Sequence, residues 1–378
     1  MSGTIANNPG RGSGVVGSAG SGITVDSGDP APDTNPAGGE GTVWCNSTSG
    51  ETYVCTDITT DSNVWKNVGD GTGSIQSLQF GGDGGGTSYG YRSTGYYPST
   101  DATIDRYSYA SDGNAVAVTS MTAAGWAGRG TQTTTAGYTV GGHVGWTATE
   151  RIEKTTFAST TTQANIGNLM RWTGVGNTST QSSTHLYTLG SDSTSNNGIA
   201  KMAFSSEVEQ TAVGDAYNFG LGTDLGFGSG HASYTHGYRA GGNSNGPGSV
   251  QTDKIEKFTF AADANSTLVA SLVRGIDTQM SGCSSLTHGY CLGGTSGAGQ
   301  NEIDKFAFST DSTSTDVGNL HTGGRAGAGT SSLTYGYMHG GGYPQINNIQ
   351  KCSFSSDGTA EDVGNLSATR AYVSGFHD

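Results

Sequence analysis

Charge, proline, cysteine and long apolar runs are all scarce in this chain. Only 13% of its 378 residues are charged, and 17 Lys and Arg against 31 Asp and Glu leave a formal net charge of −14. Affinity for nucleic acid comes from counterions released by clustered cations, so no nucleic-acid partner is expected. The same acidity opposes docking on anionic lipid, and no apolar run approaches the roughly 18 residues a spanning helix needs, so no membrane insertion is expected. The N-terminus, MSGTIANNPGRGSG, lacks a basic segment followed by an apolar core, which is not the pattern of a secretory signal.

Five cysteines are too few and too scattered for a disulfide framework or a zinc site, and they suit a reducing compartment. Cys45 and Cys55 flank one hairpin, where a disulfide and two free thiols both stay open. Seven prolines beside 65 glycines, without a triplet period, exclude a collagen-like helix. The glycines must therefore serve turns and close backbone approaches, which points to an all-β chain. No GxSxG, HExxH or P-loop occurs, so neither an enzyme nor a cofactor is expected.

What the chain does have is aromatics and repetition. Its 17 Tyr and 11 Phe bury large areas each and can build thin cores. Residues 1–40 hold scarcely any large apolar side chain and read as a Gly-rich anchoring tail. Residues 41–75 place Val43, Trp44, Tyr53, Val54, Cys55, Val64 and Trp65 in short β-type runs. A three-stranded module for attachment or oligomerisation is expected there.

Residues 76–378 are read as one region, and residues 88–378 within it carry a repeat. An Ile is followed five residues later by an aromatic, and after twelve more by an apolar residue, six times over. The pairs are Ile104 and Tyr109, Ile152 and Phe157, Ile199 and Phe204, Ile255 and Phe260, Ile303 and Phe308, and Ile349 and Phe354. Apolar and polar residues alternate in IDKFAF, the period of a strand. The connection STDSTSTD is too short and polar for a crossover helix, so its flanking strands should be antiparallel neighbours. About 48 residues per unit, read as four antiparallel strands, give a blade that cannot bury both faces alone. Six such blades predict a six-bladed β-propeller with the Ile and aromatic positions as its inter-blade core. Either the C-terminal SATRAYVSGFHD or the stretch at 80–91 supplies the strand that completes the first blade.

The segments HGYRAGG…IEKFTF, HGYCLGG…IDKFAF and YGYMHGG…IQKCSF resemble kelch-type repeats, in which a double glycine ends the second strand and an aromatic marks the third. The resemblance covers residues 88–378 and lacks the tryptophan usual in such repeats; the glycine pair is missing from GYRSTG and LYTLGS. The N-terminal module, GTVWCNSTSGETYVCTD…NVWKNVGDGTG, is similar to segments preceding display domains in virion proteins of tailed, especially marine, bacteriophages. That resemblance implies a kelch-like tail-fibre or head-surface protein, located in the virion and made in the host cytoplasm. Its N-terminal region would bind other virion proteins and its chain would form a homo-oligomer.

Three functions stay open: adhesion to a host surface glycan, capsid or tail decoration without a ligand, and an intracellular kelch-type interaction protein. For adhesion, the candidate contact residues are the aromatics of the variable segments, Tyr96, Tyr97, Trp126, Trp146, Trp172, Tyr217, Phe219 and Tyr343. His185, His236 and His288 occupy equivalent positions and read as turn residues bonding nearby backbone. Asp112, Asp311 and Asp357 read as turn-capping aspartates.

Overall fold

The computed structural model describes residues 23–69, 86, 88–159, 163–169, 177–190, 198–217, 225–244, 251–273, 280–295, 300–342 and 344–378. Among these residues there is no helix, and the chain divides into two compact units, 1–78 and 79–378.

In the first unit four strands pair in the order Thr24–Asp26, Val43–Asn46, Thr52–Asp57 and Val64–Gly69, the first two parallel and the rest antiparallel. The expected three strands are thus four, and the extra one comes from the stretch read as a tail. What fixes it is polar rather than apolar, which is why hydropathy did not reveal it. Trp44 Nε1 donates to the Gly28 carbonyl at 2.9 Å, Asn46 Nδ2 to Asp29 at 2.8 Å, and Asn63 Nδ2 to the Pro32 carbonyl at 2.9 Å. Trp44 meets Trp65 edge to face. The register sets Cys45 opposite Thr52 and Cys55 opposite Trp65, and both cysteines are free thiols.

The second unit is a series of antiparallel sheets, none closed on itself. Five have four strands, each beginning with a short inner strand: Arg129–Gln132, Thr178–Gln181, Ser229–Ala232, Ser281–Ser284 and Ala328–Ser331. A two-stranded ladder pairs Leu225–Gly226 with Asn243–Ser244, and one further sheet has six strands and takes its inner strand, Ser374–His377, from the C-terminus, paired antiparallel with Tyr89–Ser93. Two of its strands, His143–Val144 and Thr147–Ala148, are lent by a loop of the second sheet. Every third strand carries one of the repeated isoleucines, and Ile104, Ile152, Ile199, Ile255, Ile303 and Ile349 are all buried.

Sheet meets sheet through four repeated contacts. The strand-two tyrosine of one sheet packs on the repeat aromatic of the next: Tyr91 on Phe157, Tyr138 on Phe204, Tyr187 on Phe260, Tyr238 on Phe308 and Tyr290 on Phe354, at 4.8–5.1 Å between ring centres. Tyr337 of the sixth sheet stacks on Tyr109 of the first at 4.6 Å. Second, the lysine found two residues beyond five of the six Ile residues, the first sheet having Arg106 there instead, reaches an acidic residue in the outer hairpin of the following sheet. Lys154 pairs with Glu207 (2.5 Å), Lys201 with Asp263 (2.6 Å), Lys257 with Asp311, Lys305 with Asp357 (3.0 Å) and Lys351 of the sixth sheet with Asp112 of the first (2.6 Å). Asp112, Asp311 and Asp357 are therefore inter-sheet ion-pair partners, a role the turn reading missed because the partner lies about 50 residues or more away.

Third, the buried polar residue just after the Ile accepts the backbone N–H where the chain leaves the preceding sheet. Glu153 takes Thr122 N–H at 3.0 Å, Glu256 takes Tyr217 N–H at 2.6 Å, Gln350 takes Thr322 N–H at 2.7 Å and Asp105 takes Ser367 N–H at 3.2 Å. Where these acids are wholly buried they also meet arginines, Arg92 with Asp105 at 2.7 Å and Arg239 with Glu256 at 2.5 Å, as buried charge requires. Fourth, the inner strands touch backbone to backbone at their second residue. A Cβ on Gly230 would overlap the Ser179 carbonyl oxygen, one on Gly329 that of Gly282, and one on Gly130 that of Gly375.

Two outcomes follow. Gly329→Ala forces its sheet off the fifth sheet and should cost about 3 kcal/mol, read as a lower urea midpoint; an unchanged midpoint would refute the close approach. His231, His339 and His377 are fully buried, and burial pushes their pKa values down to about 4, 3 and 3. Unfolded histidine titrates near 6.5, so below that pH the unfolded chain binds more protons and the fold loses stability as pH falls from about 6.5 towards 3. The slope reaches at most about 1.4 kcal/mol per pH unit per histidine. Urea midpoints that stay flat from pH 7.5 to 5 would contradict neutral burial of these rings.

Candidate functional site

Each four-stranded sheet has two ends. At one lie the hairpins joining strands one to two and three to four; at the other lie the strand two-to-three loops and the connections between sheets. The aromatics expected in loops separate by this geometry. Tyr96 and Tyr97 follow Tyr89–Ser93, Trp126 ends Val116–Trp126, and Trp146 sits in the turn between His143–Val144 and Thr147–Ala148. All four occupy the loop and connection end, at the seam of the first and second sheets.

The structure gathers three of them into one cluster. Trp126 lies 5.8 Å from Tyr96 and 5.4 Å from Trp146 between ring centres, and Tyr96 lies 5.6 Å from Trp146. Two residues that the sequence did not single out complete it: His143, stacked flat on Trp126 at 4.5 Å, and Tyr372, edge-on to Trp126 at 5.4 Å. Trp126 Nε1 donates to the Gly145 carbonyl at 2.6 Å, which fixes the turn that presents Trp146. Each such ring pair is worth roughly 0.5–1.5 kcal/mol, so the cluster is a rigid body rather than a set of free side chains. Trp146 is 74% exposed and Tyr97 45% exposed. Burial lowers the His143 pKa, so its ring stacks as the neutral form at neutral pH.

A charged network ties down the loop that carries Tyr96 and Tyr97. Arg370 Nη1 donates to the Tyr97 carbonyl at 2.8 Å and its Nε to Asp101 at 3.1 Å; Asp101 also meets Arg92 at 2.7 Å. Burial tends to raise the Asp101 pKa, but Arg92, Arg370 and the Thr103 N–H outweigh it and hold the carboxyl at about 2. Tyr97 has a φ of 128°, a conformation rarely taken by a residue with a side chain, and its carbonyl bond to Arg370 helps to hold it there. Tyr96 and Ala371 exchange backbone hydrogen bonds at 2.8 and 3.1 Å, tying this loop to the chain entering the C-terminal strand.

Tyr217 stands apart, in the connection leaving the third sheet, with its backbone N–H held by Glu256 and Ser266. Trp172, Phe219 and Tyr343 lie outside the described residues. His185, His236 and His288 bond the hydroxyl of the preceding threonine, each at 2.8 Å, rather than neighbouring backbone carbonyls. Among the described residues no group of three His, Cys, Asp or Glu is placed to hold a metal ion. At the opposite, hairpin end, Tyr234, Leu286 and Leu333 are exposed at equivalent turn tips of three successive sheets. The sequence signal for these was present, one apolar residue ahead of each THGY or TYGY, but it was absorbed into the strand reading.

Arg370→Ala removes the support of the Tyr97 carbonyl and one of the three partners of Asp101. A stability loss of about 1–3 kcal/mol and a shift in tryptophan emission are expected, with the rest of the fold intact; unchanged emission would mean the network does not position the cluster. No protein-family model matches the chain and no curated protein is similar to it, so the reading of this site rests on its geometry.

Proposed function

We propose that the second unit is a six-bladed, kelch-like β-propeller serving as an adhesion module. The support is the cycle of contacts: six like sheets, each touching the next through its inner strand and its stacked aromatics and, in five of the six, through a lysine ion pair, with the sixth touching the first. One blade alone leaves both faces bare, and a cycle covers them all.

The ligand in this reading is a saccharide, and the observation that carries it is the exposed Trp146 held against Tyr96 and Trp126 in a rigid aromatic base. Aromatic faces stack on the C–H face of pyranose rings, and a preorganised platform loses little entropy on binding. No catalytic role is proposed. The wider setting, a tailed-bacteriophage virion displaying the propeller from its N-terminal region, rests on the resemblance of residues 41–75. The exposed Val25, Val64 and Val68 of the N-terminal sheet supply apolar surface for contact with the particle or with further copies. A second reading, decoration of the capsid or tail without a ligand, is favoured by the exposed Tyr234, Leu286 and Leu333, which suit a subunit contact.

A glycan array probed with the purified chain tests the choice. Weak single-site binding, amplified on dense arrays and reduced at least tenfold in Trp146→Ala, is expected for adhesion. Uniformly null arrays together with particle assembly that depends on Leu286 and Leu333 would establish decoration instead.

A further inference from the structure

The two faces of the N-terminal sheet are treated differently. The register sets Trp44 beside Tyr53 and Cys55 beside Trp65 on one face. Gly28, Asp29 and Pro32 accept from Trp44, Asn46 and Asn63 on that side at 2.8–2.9 Å, so the segment after the first strand covers it. By the same register and the alternation of side chains along a strand, the opposite face carries Val25, Val43, Cys45, Val54, Val64 and Lys66. None of these is buried, and Val25 stays 66% and Val64 44% exposed. Among the described residues of this unit, Cys55 is the one apolar side chain that is fully buried. A sheet with one side covered and one bare holds half a core, and a stable domain needs a second layer.

The composition of the bare face is that of a sandwich interior. Its apolar residues are four valines and a cysteine, without the aromatics and arginines that anchor contacts between unlike proteins. A face of this kind is a domain core cut in half, the mark of pairing between like subunits. Its charges are one of each sign. Lys66 has no ion-pair partner among the described residues, and Asp57, opposite Val64 in the register, spends only Oδ1, on the Thr59 N–H and hydroxyl. Asp26 and Glu51 belong to the covered side, with Asn46 and Tyr53. A twofold axis through the bare face can therefore set each Lys66 towards Asp57 of a second copy. Four strands about five residues long present on the order of 500 Å² on one side. Two copies meeting would bury on the order of 1,000 Å², the lower bound for a specific pair.

We propose that the chain forms a homodimer in which the bare faces of two N-terminal sheets pack on each other as the two layers of a β-sandwich. This pairing rests on the apolar surface described above for attachment, and it is independent of saccharide binding, which belongs to the second unit.

Sedimentation velocity of the full chain from about 0.1 to 100 μM tests the pairing, and a dimer with a Kd on the order of micromolar is expected. Val25→Glu combined with Val64→Glu changes side chains that are exposed in the single copy, so the sheet still folds while the Kd rises at least tenfold. Leu286→Asp, at the hairpin end of the second unit, should leave the dimer unchanged. Cys45 lies on an inner strand of the bare face, and the four other thiols are buried. A bis-maleimide longer than the about 10 Å between packed sheets should join two unaltered copies through Cys45, and Cys45→Ser should prevent it. That cross-link decides the matter should the glutamate variant not fold. A chain that stays monomeric up to about 100 μM overturns the proposal. So does a dimer that is unmoved by the folded glutamate variant, is lost in Leu286→Asp, or is not joined through Cys45. Glycan binding by a monomer would leave adhesion standing, so the two readings fail separately.

Discussion

The inner strands of the second unit lie so close that a methyl group at their second position would run into the neighbouring strand's carbonyl oxygen, as at Gly230, Gly329 and Gly130. Much else follows from that separation. Because the backbones approach so closely, the larger side chains are displaced outwards, where successive sheets diverge and space opens between them. The isoleucines fill the nearer part of that wedge and the stacked tyrosines and phenylalanines the wider part. Glycine is used here for the absence of a side chain, not for its backbone freedom. A chain that is one-sixth glycine therefore still specifies a definite packing.

Polar clasps give the wedge its register. An aromatic stack tolerates sliding, whereas a carboxylate that must meet a particular N–H does not. Glu153, Glu256, Gln350 and Asp105 each fix the exit of the preceding sheet, while the lysine beside the first three reaches forward to the following one. Two adjacent residues thus link three sheets. The half-exposed lysine pairs add little free energy singly, and their value lies in selecting one alignment among several that the apolar contacts would accept. The same logic serves the loop beside the aromatic cluster, where Arg370 holds both the Tyr97 carbonyl and Asp101.

Periodic features were legible in the sequence and non-periodic ones were not. The recurrence of Ile and the aromatic five residues later marked the third strands, and IDKFAF alternation marked them as strands, because both are local consequences of the pleat. The acid and lysine inside the same motif went unread, since they recur less regularly and their partners lie on other sheets. Tyr96, Trp126 and Trp146 were identified as loop aromatics from composition, but their convergence depends on how three separate segments meet. His143 and Tyr372, which complete the cluster, carry no local signal. The strand Thr24–Asp26 was missed because its apolar residues, Ile23 and Val25, stay exposed, and what holds it is a backbone ladder to Val43–Asn46 with side-chain bonds from Trp44, Asn46 and Asn63 to the residues that follow it.

The pairing of Ser374–His377 with Tyr89–Ser93 joins segments nearly 290 residues apart, and Asp378 accepts the N–H groups of Ser88 and Tyr89. A ribosome delivers the two halves of that sheet at opposite ends of the second unit's synthesis, so its first-made strands wait with an open edge while five other sheets emerge. Loop-closure entropy of that span makes the joining step slow, and an unpaired edge is where chains pair with the wrong neighbour. The last few residues act as a latch whose loss would leave a fully translated molecule adhesive towards its own kind.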